Sequence, residues 1–119
     1  MSTPDSPAPF HLSAGPRDGD RHSFSCRLPA DLAYFEGHFP GHPVLPAVAQ
    51  LELLRQAMHS IEPGLALRAV DGLRLSQPLV PGDRVELEVQ VPEDDEGTAF
   101  VVRRDGSTVT QGRVRWSRP

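Results

Sequence analysis

Between Pro46 and the Pro63–Gly64 pair runs the one long segment of this chain that reads as helix, "AVAQLELLRQAMHS", residues 47–60. Proline suits the position that opens a helix, where its missing N–H would have no partner, and a Pro-Gly pair stops one. The apolar positions Ala47, Val48, Ala49, Leu51, Leu53, Leu54, Ala57 and Met58 run nearly the whole way round it. A helix of that kind needs other structure on most of its sides.

The rest of the chain supplies that structure as strands. "DRHSFSCRL" (20–28) alternates in the two-residue period of a half-buried strand. After the helix comes "LALRAVDGLRLSQPL" (65–79), broken near Asp71–Gly72, then a Pro-Gly-Asp turn at 81–83. "RVELEVQV" (84–91) puts Val85, Leu87, Val89 and Val91 on one side and Arg84, Glu86, Glu88 and Gln90 on the other. "TAFVVRRD" (98–105) and "STVTQGRVRW" (107–116) meet at Asp105–Gly106, a strong hairpin pair. One helix against one antiparallel sheet is an α+β layer fold, and a sheet that wraps its central helix would account for the helix's all-round apolarity. Residues 10–119 read as a single domain, and residues 1–9, rich in Pro, Ser and Asp, as a disordered N-terminal tail.

Composition removes several classes of function. The net charge of −4 argues against nucleic acid as a partner, and no basic amphipathic helix suits a membrane surface. No apolar run reaches the roughly 20 residues of a membrane span, and the N-terminus has no signal-peptide pattern. With one cysteine, Cys26, and no export signal, a cytoplasmic setting is expected, with Cys26 a small core residue. All 12 basic residues are arginine, so Schiff-base chemistry on lysine is excluded. Arg103, Arg104, Arg113 and Arg115 on the late strands either face solvent or meet an acidic partner.

Just before the helix stands "HFPGHPVLP" (38–46), which cannot be regular structure: Pro40, Pro43 and Pro46 fix φ and Gly41 supplies a sharp bend. Two histidines sit in this stiff loop. His38 and His42 have the spacing of a zinc-binding helix, but Pro40 and Gly41 forbid the helix and no third ligand is evident, so no metal is expected. The run "GHFPGHPVLPAVAQLEL" resembles the signature of hot-dog-fold 3-hydroxyacyl-acyl-carrier-protein dehydratases of the FabA/FabZ type. That signature is a His-Phe-Pro-Gly turn, further prolines, then a helix with an acidic residue fourteen positions after the histidine; here the pair is His38 and Glu52. "LRLSQPLVPGDRVELEV" (73–89) is similar to the family's second recurring segment. The short chain and the "VLPAVAQLEL" wording look most like the branch that serves aryl-polyene pigment clusters, the ApeI-like branch. Where the family usually has glycine after the second proline, this chain has Ala47.

The resemblance implies a hot-dog fold, a side-by-side dimer with the site between subunits, and dehydration of 3-hydroxyacyl thioesters to trans-2-enoyl products. His38 would be the base at Cα, and Glu52 would hold and protonate the leaving 3-hydroxyl. Chemistry agrees: histidine titrates near neutrality, and a carboxylic acid kept protonated needs burial, which an apolar helix offers. Backbone amides at the helix start, Ala47 and Val48, with Gly41 as a further donor, would hold the thioester oxygen. Phe39 and Pro46 would line the substrate path, and Tyr34 and Phe35 either line an acyl tunnel or pack in the core. No cofactor is expected beyond the phosphopantetheine arm of the acyl carrier protein, which is the expected partner. A homodimer, a larger assembly of dimers and a heterodimer with another hot-dog protein are all compatible. The rival functions are a hot-dog acyl thioesterase and a non-catalytic acyl-carrier-binding subunit.

Overall fold

The computed structural model describes residues 10–32, 44–91 and 97–118. Its elements are β1 (Ser13–Asp18), β2 (Arg21–Arg27), α1 (Ala47–Ile61), β3 (Ala66–Leu75), β4 (Arg84–Gln90), β5 (Thr98–Arg104) and β6 (Ser107–Ser117). The strands form one sheet in the order β1-β2-β4-β5-β6-β3, every pair antiparallel. With α1 laid on one face, this is the α+β architecture expected.

Alternation decides which face is inward. Phe24 lies opposite Leu87 and Cys26 opposite Val85, and all four are buried. Arg84, Glu86 and Glu88 take the alternate positions and stay at least partly exposed. The β5–β6 hairpin closes through Asp105 and Gly106, with φ of 53° and 79°. A two-residue turn of that twist needs positive φ at both positions, which Asp-Gly tolerates. Leu53, Leu54, Ala57 and Met58 of α1 are completely buried against the inner face. Each leucine so placed contributes about 1.5–3 kcal/mol relative to leaving it in water. The start of the described chain is anchored there too: Phe10 is buried, its N–H donates to Gln56 Oε1 at 3.2 Å, and Gln56 Nε2 donates back to its carbonyl.

The sheet packs on the helix as expected and leaves one stripe of it open: Val48 is 65% exposed, and Arg55 and His59 on the same stripe are also exposed. Apolarity measured on the sequence counts residues, whereas burial depends on which arc of the helix meets the sheet. The run 65–79 is shorter than expected as a strand, and it passes through Asp71–Gly72 by an irregularity between Asp71 and Arg74, with Gly72 at φ 61°, rather than breaking. Strand β1 was not expected at all. Its residues are all exposed, so it carries no alternation to read, and Gly15 and Pro16 argue against a strand. Pro16 is tolerated because β1 is an edge.

The late arginines have structural partners. Arg104 donates to Asp83 Oδ2 (2.8 Å), to the Pro78 carbonyl (2.8 Å) and to Gln77 Oε1 (2.7 Å). Arg103 faces Glu88 and Arg115 faces Asp71, each at 3.6 Å, and Arg113 donates to the Gly97 carbonyl at 2.8 Å. Cys26 is a free, buried thiol, as expected of a core residue, and burial pushes its pKa up. Among the described residues no helix is long and apolar enough to cross a membrane. Residues 1–9, together with Tyr34, Phe35, His38, Phe39, Gly41 and His42, lie outside the described residues.

Candidate active site

Helix α1 begins without a cap. Pro46 occupies the capping position with extended backbone and makes no side-chain bond to the first turn, and no acidic residue lies in that turn. Its carbonyl accepts from the amides of Ala49 (3.0 Å) and Gln50 (3.2 Å). The two preceding amides, Ala47 and Val48, are those that a helix leaves without an internal acceptor. They carry the partial positive charge of the helix start, which is a ready place for a developing oxyanion.

A groove of about 280 Å³ opens at this point, lined by Val44, Leu45, Pro46, Ala47 and Gln50 on the helix side and by Leu75, Ser76, Gln77 and Pro78 opposite. Its two walls are tied together, since the Leu45 amide donates to the Leu79 carbonyl at 2.7 Å. Arg104 holds the far wall through Gln77 and Pro78. Leu75 is 45% exposed, an apolar side chain left on the rim. The structure therefore brings Pro46, Ala47 and Val48 together at one helix start beside an apolar groove.

Glu52 stands one turn further on, on the same stripe as Val48. The expectation that it is buried among apolar neighbours is not met. Its side chain is 23% exposed, and Arg55 grips it with two bonds, Nε to Oε1 at 2.8 Å and Nη2 to Oε2 at 2.5 Å. The reason is rotational: successive residues turn about 100° around a helix, so Glu52 stands about 200° from Gln50. Gln50, Leu53, Leu54 and Ala57 take the sheet-facing arc, and Glu52 falls on the outward side. Within this chain it is the carboxylate of an i,i+3 ion pair.

Sequence reasoning missed two residues here. Gln50 is 2% exposed and Thr110 is fully buried, and the Thr110 hydroxyl donates to Gln50 Oε1 at 2.5 Å. The signal was faint: Gln50 is one of two amides in the helix, with Gln56, and Thr110 is an ordinary strand residue. Among the described residues no group of three His, Cys, Asp or Glu is placed to hold a metal ion. Two larger hollows lie elsewhere. One, of about 640 Å³, sits under the far end of α1 beside His22 and His59; the other, of about 510 Å³, is on the outer sheet face beside Arg74 and Arg113. Neither adjoins the helix start, so donor chemistry rather than size selects the site.

Known proteins resemble this chain in sequence and in fold. The 3-hydroxyacyl-[acyl-carrier-protein] dehydratase FabZ of Myxococcus xanthus (strain DK1622) is 38% identical over 92 residues, covering 66% of this chain and 60% of that protein. That of Proteus mirabilis (strain HI4320) is 34% identical over 98 residues, covering 71% and 65%. The chain thus spans about 60% of the length of the curated relatives it matches. Among solved structures, the dehydratase heterocomplex ApeI:P from Xenorhabdus doucetiae superposes with a TM-score of 0.82 at 24% identity, over 92% of this chain and 98% of the other. The E. coli PaaI protein superposes at 0.67 and 15% identity, over 90% and 82%. These likenesses establish the fold as a hot dog, one helix on a six-stranded antiparallel sheet. The family profile described as ApeI-like, ApeI dehydratase, matches residues 15–113, and the chain belongs to that family.

Proposed function

We propose that this chain removes water from 3-hydroxyacyl thioesters carried on an acyl carrier protein, giving the trans-2-enoyl thioester. One observation carries the reading: an uncapped helix start opens on an apolar groove with a carboxylate one turn along, in a chain of a dehydratase family. Elimination needs three things: a base at Cα, an acid at the leaving hydroxyl, and a stabiliser for the thioester oxygen. The Ala47 and Val48 amides serve the oxygen, with Gly41 as a further donor. His38 takes the Cα proton, the C3–O bond breaks, and the proton delivered by Glu52 leaves with the hydroxyl as water. Proton return from His38 to Glu52 through solvent resets the pair. Phe39, Pro46 and the groove wall hold the acyl chain. Two side chains and these backbone amides account for every proton and charge, so the proposed reaction calls on no cofactor bound by the enzyme; the phosphopantetheine arm comes with the carrier.

Glu52 must exchange Arg55 for substrate to play this part. A second hot-dog subunit over the outward stripe would promote that exchange by offering Arg55 another partner and by burying Glu52, which favours the protonated carboxyl over the carboxylate. The same chain is the first choice of partner; a different hot-dog protein is the other, and the Xenorhabdus doucetiae protein's heterocomplex supports it. The narrower assignment, polyene-type intermediates in a cytoplasmic pathway, rests on the ApeI-like family match.

The Glu52–Arg55 pair also favours a second reading, a non-catalytic subunit that binds the acyl carrier, and Ala47 in place of glycine agrees with it. One experiment separates the readings. Carrier-bound 3-hydroxyacyl substrates of several chain lengths are incubated with the protein and with His38→Ala, and the carrier is weighed by mass spectrometry. Loss of one water, much slower in His38→Ala, is the expected result. Release of free acid would make the protein a thioesterase, and intact substrate with carrier retained would make it a binding subunit.

A further inference from the structure

At the centre of the sheet-facing side of α1, among Leu53, Leu54 and Ala57, stands Gln50. Its Oε1 accepts the Thr110 hydroxyl at 2.5 Å, and its Nε2 donates to the Leu45 carbonyl at 3.3 Å. Three segments therefore meet at one amide: the chain entering the helix, the first turn of the helix, and strand β6. Burying an amide and a hydroxyl is costly unless they are paired, and an apolar pair of the same shape would serve stability about as well. Stability alone does not call for this pair.

Direction does. Packing of leucine against a sheet is non-directional and tolerates a small turn or slide of the helix. A hydrogen bond weakens steeply off its axis. Ala47 and Val48 lie in the same turn as Gln50, and Glu52 follows two residues later. Any rotation of α1 that strains the Gln50 bonds swings Glu52 through the same angle and moves the two amides with it. Gln50 also lines the groove.

We propose that Gln50, fixed between Thr110 and the Leu45 carbonyl, is a positioning residue that sets the rotation and axial height of the first turn of α1, and so places the Ala47 and Val48 amides and the Glu52 carboxyl for reaction. This rests on the dehydratase reading above.

The test is the double variant Gln50→Leu/Thr110→Val, which removes both side-chain partners while keeping their shapes, alongside Thr110→Val and Thr110→Ser alone. Unfolding midpoint, kcat and KM are measured on a carrier-bound 3-hydroxyacyl substrate. The expected result is a double variant that still folds, with its midpoint lowered by less than that of Thr110→Val because only the Leu45 carbonyl loses its donor, and with kcat down by about tenfold to a hundredfold and KM little changed. Thr110→Ser, which keeps the hydroxyl, retains most of the parent's kcat, and Thr110→Val does not. A double variant with the parent's kcat overturns the proposal. Should the double variant not fold, Thr110→Val with the parent's kcat does the same. A parent that releases no water brings down the dehydratase reading and the positioning role together; an active parent beside equally active variants brings down the positioning role alone.

Discussion

Helix α1 has two sides that do different work. The side toward the sheet holds Ala49, Gln50, Leu53, Leu54, Ala57 and Met58, all buried. The outward side holds Val48, Glu52, Arg55 and His59, with Val48 65% exposed and the Glu52 side chain 23% exposed. Polar groups on the two sides are treated in opposite ways. Inside, the Gln50 amide and the Thr110 hydroxyl are paired to each other out of water. Outside, Glu52 is paired to a half-exposed arginine. A carboxylate committed to the fold would be hard to use in a reaction. One on the outward side, as proposed for Glu52, would be available, with the inner side proposed to set its position.

Mutations can break or sharpen this contrast. The largest effect is expected from Leu53→Ala, which leaves a cavity at a fully buried site and should cost about 2–5 kcal/mol in urea unfolding. A cost under about 1 kcal/mol would mean that the inner side is not a packed core. Next is Thr110→Val, which orphans the Gln50 oxygen in the interior and should cost about 1–3 kcal/mol, with Gln50→Leu added to it restoring part of the loss. Further loss in the double variant would show that the pair is needed for stability after all.

A smaller effect follows from His22, which lines the hollow under the far end of α1 with Gln56 and His59. Burial, and then the nearby Arg17, hold its pKa below the usual 6.5, while Asp20 opposes them. The unfolded chain therefore takes up this proton at a higher pH than the folded one does. Stability should fall as pH drops below about 6.5, because the unfolded state then binds more protons. Unfolding measured from neutral to mildly acid pH should flatten over that window in His22→Gln; an unchanged slope would assign the loss to other groups. The smallest effect is expected from Val48→Ala, within about 0.5 kcal/mol for the dilute chain as for other exposed positions. If a second subunit covers the outward stripe, the cost grows with protein concentration. A large cost independent of concentration would show that Val48 is packed within its own chain.

Much of this architecture can be read directly from residue order. Alternation placed β2, β4, β5 and β6, and Pro46 with Pro63–Gly64 bounded α1 to within a residue or two. The start of the helix was legible too: Ala47 and Val48 are its first two residues, as Pro46 implies. What could not be read is rotation. Eight apolar positions spread round a helix do not say which arc meets the sheet, so Glu52 read as buried when it faces outward. Strand β1 was invisible because an exposed edge strand has no inner face to impose a period. Gln50 and Thr110 were missed because each is ordinary alone; only the fold, sixty residues apart in sequence, makes them a pair.

The most direct test of the outward side as the reacting side is Glu52→Gln. The parent and this variant are incubated with a carrier-bound 3-hydroxyacyl substrate, water loss is followed by mass spectrometry, and unfolding is measured on the same samples. The expected result is water loss slower by at least about a hundredfold. The unfolding midpoint should stay near the parent's, since an exposed ion pair is worth only about 0.2–1 kcal/mol. A Glu52→Gln protein that removes water at the parent's rate would contradict the account: Glu52 would then be no more than the partner of Arg55.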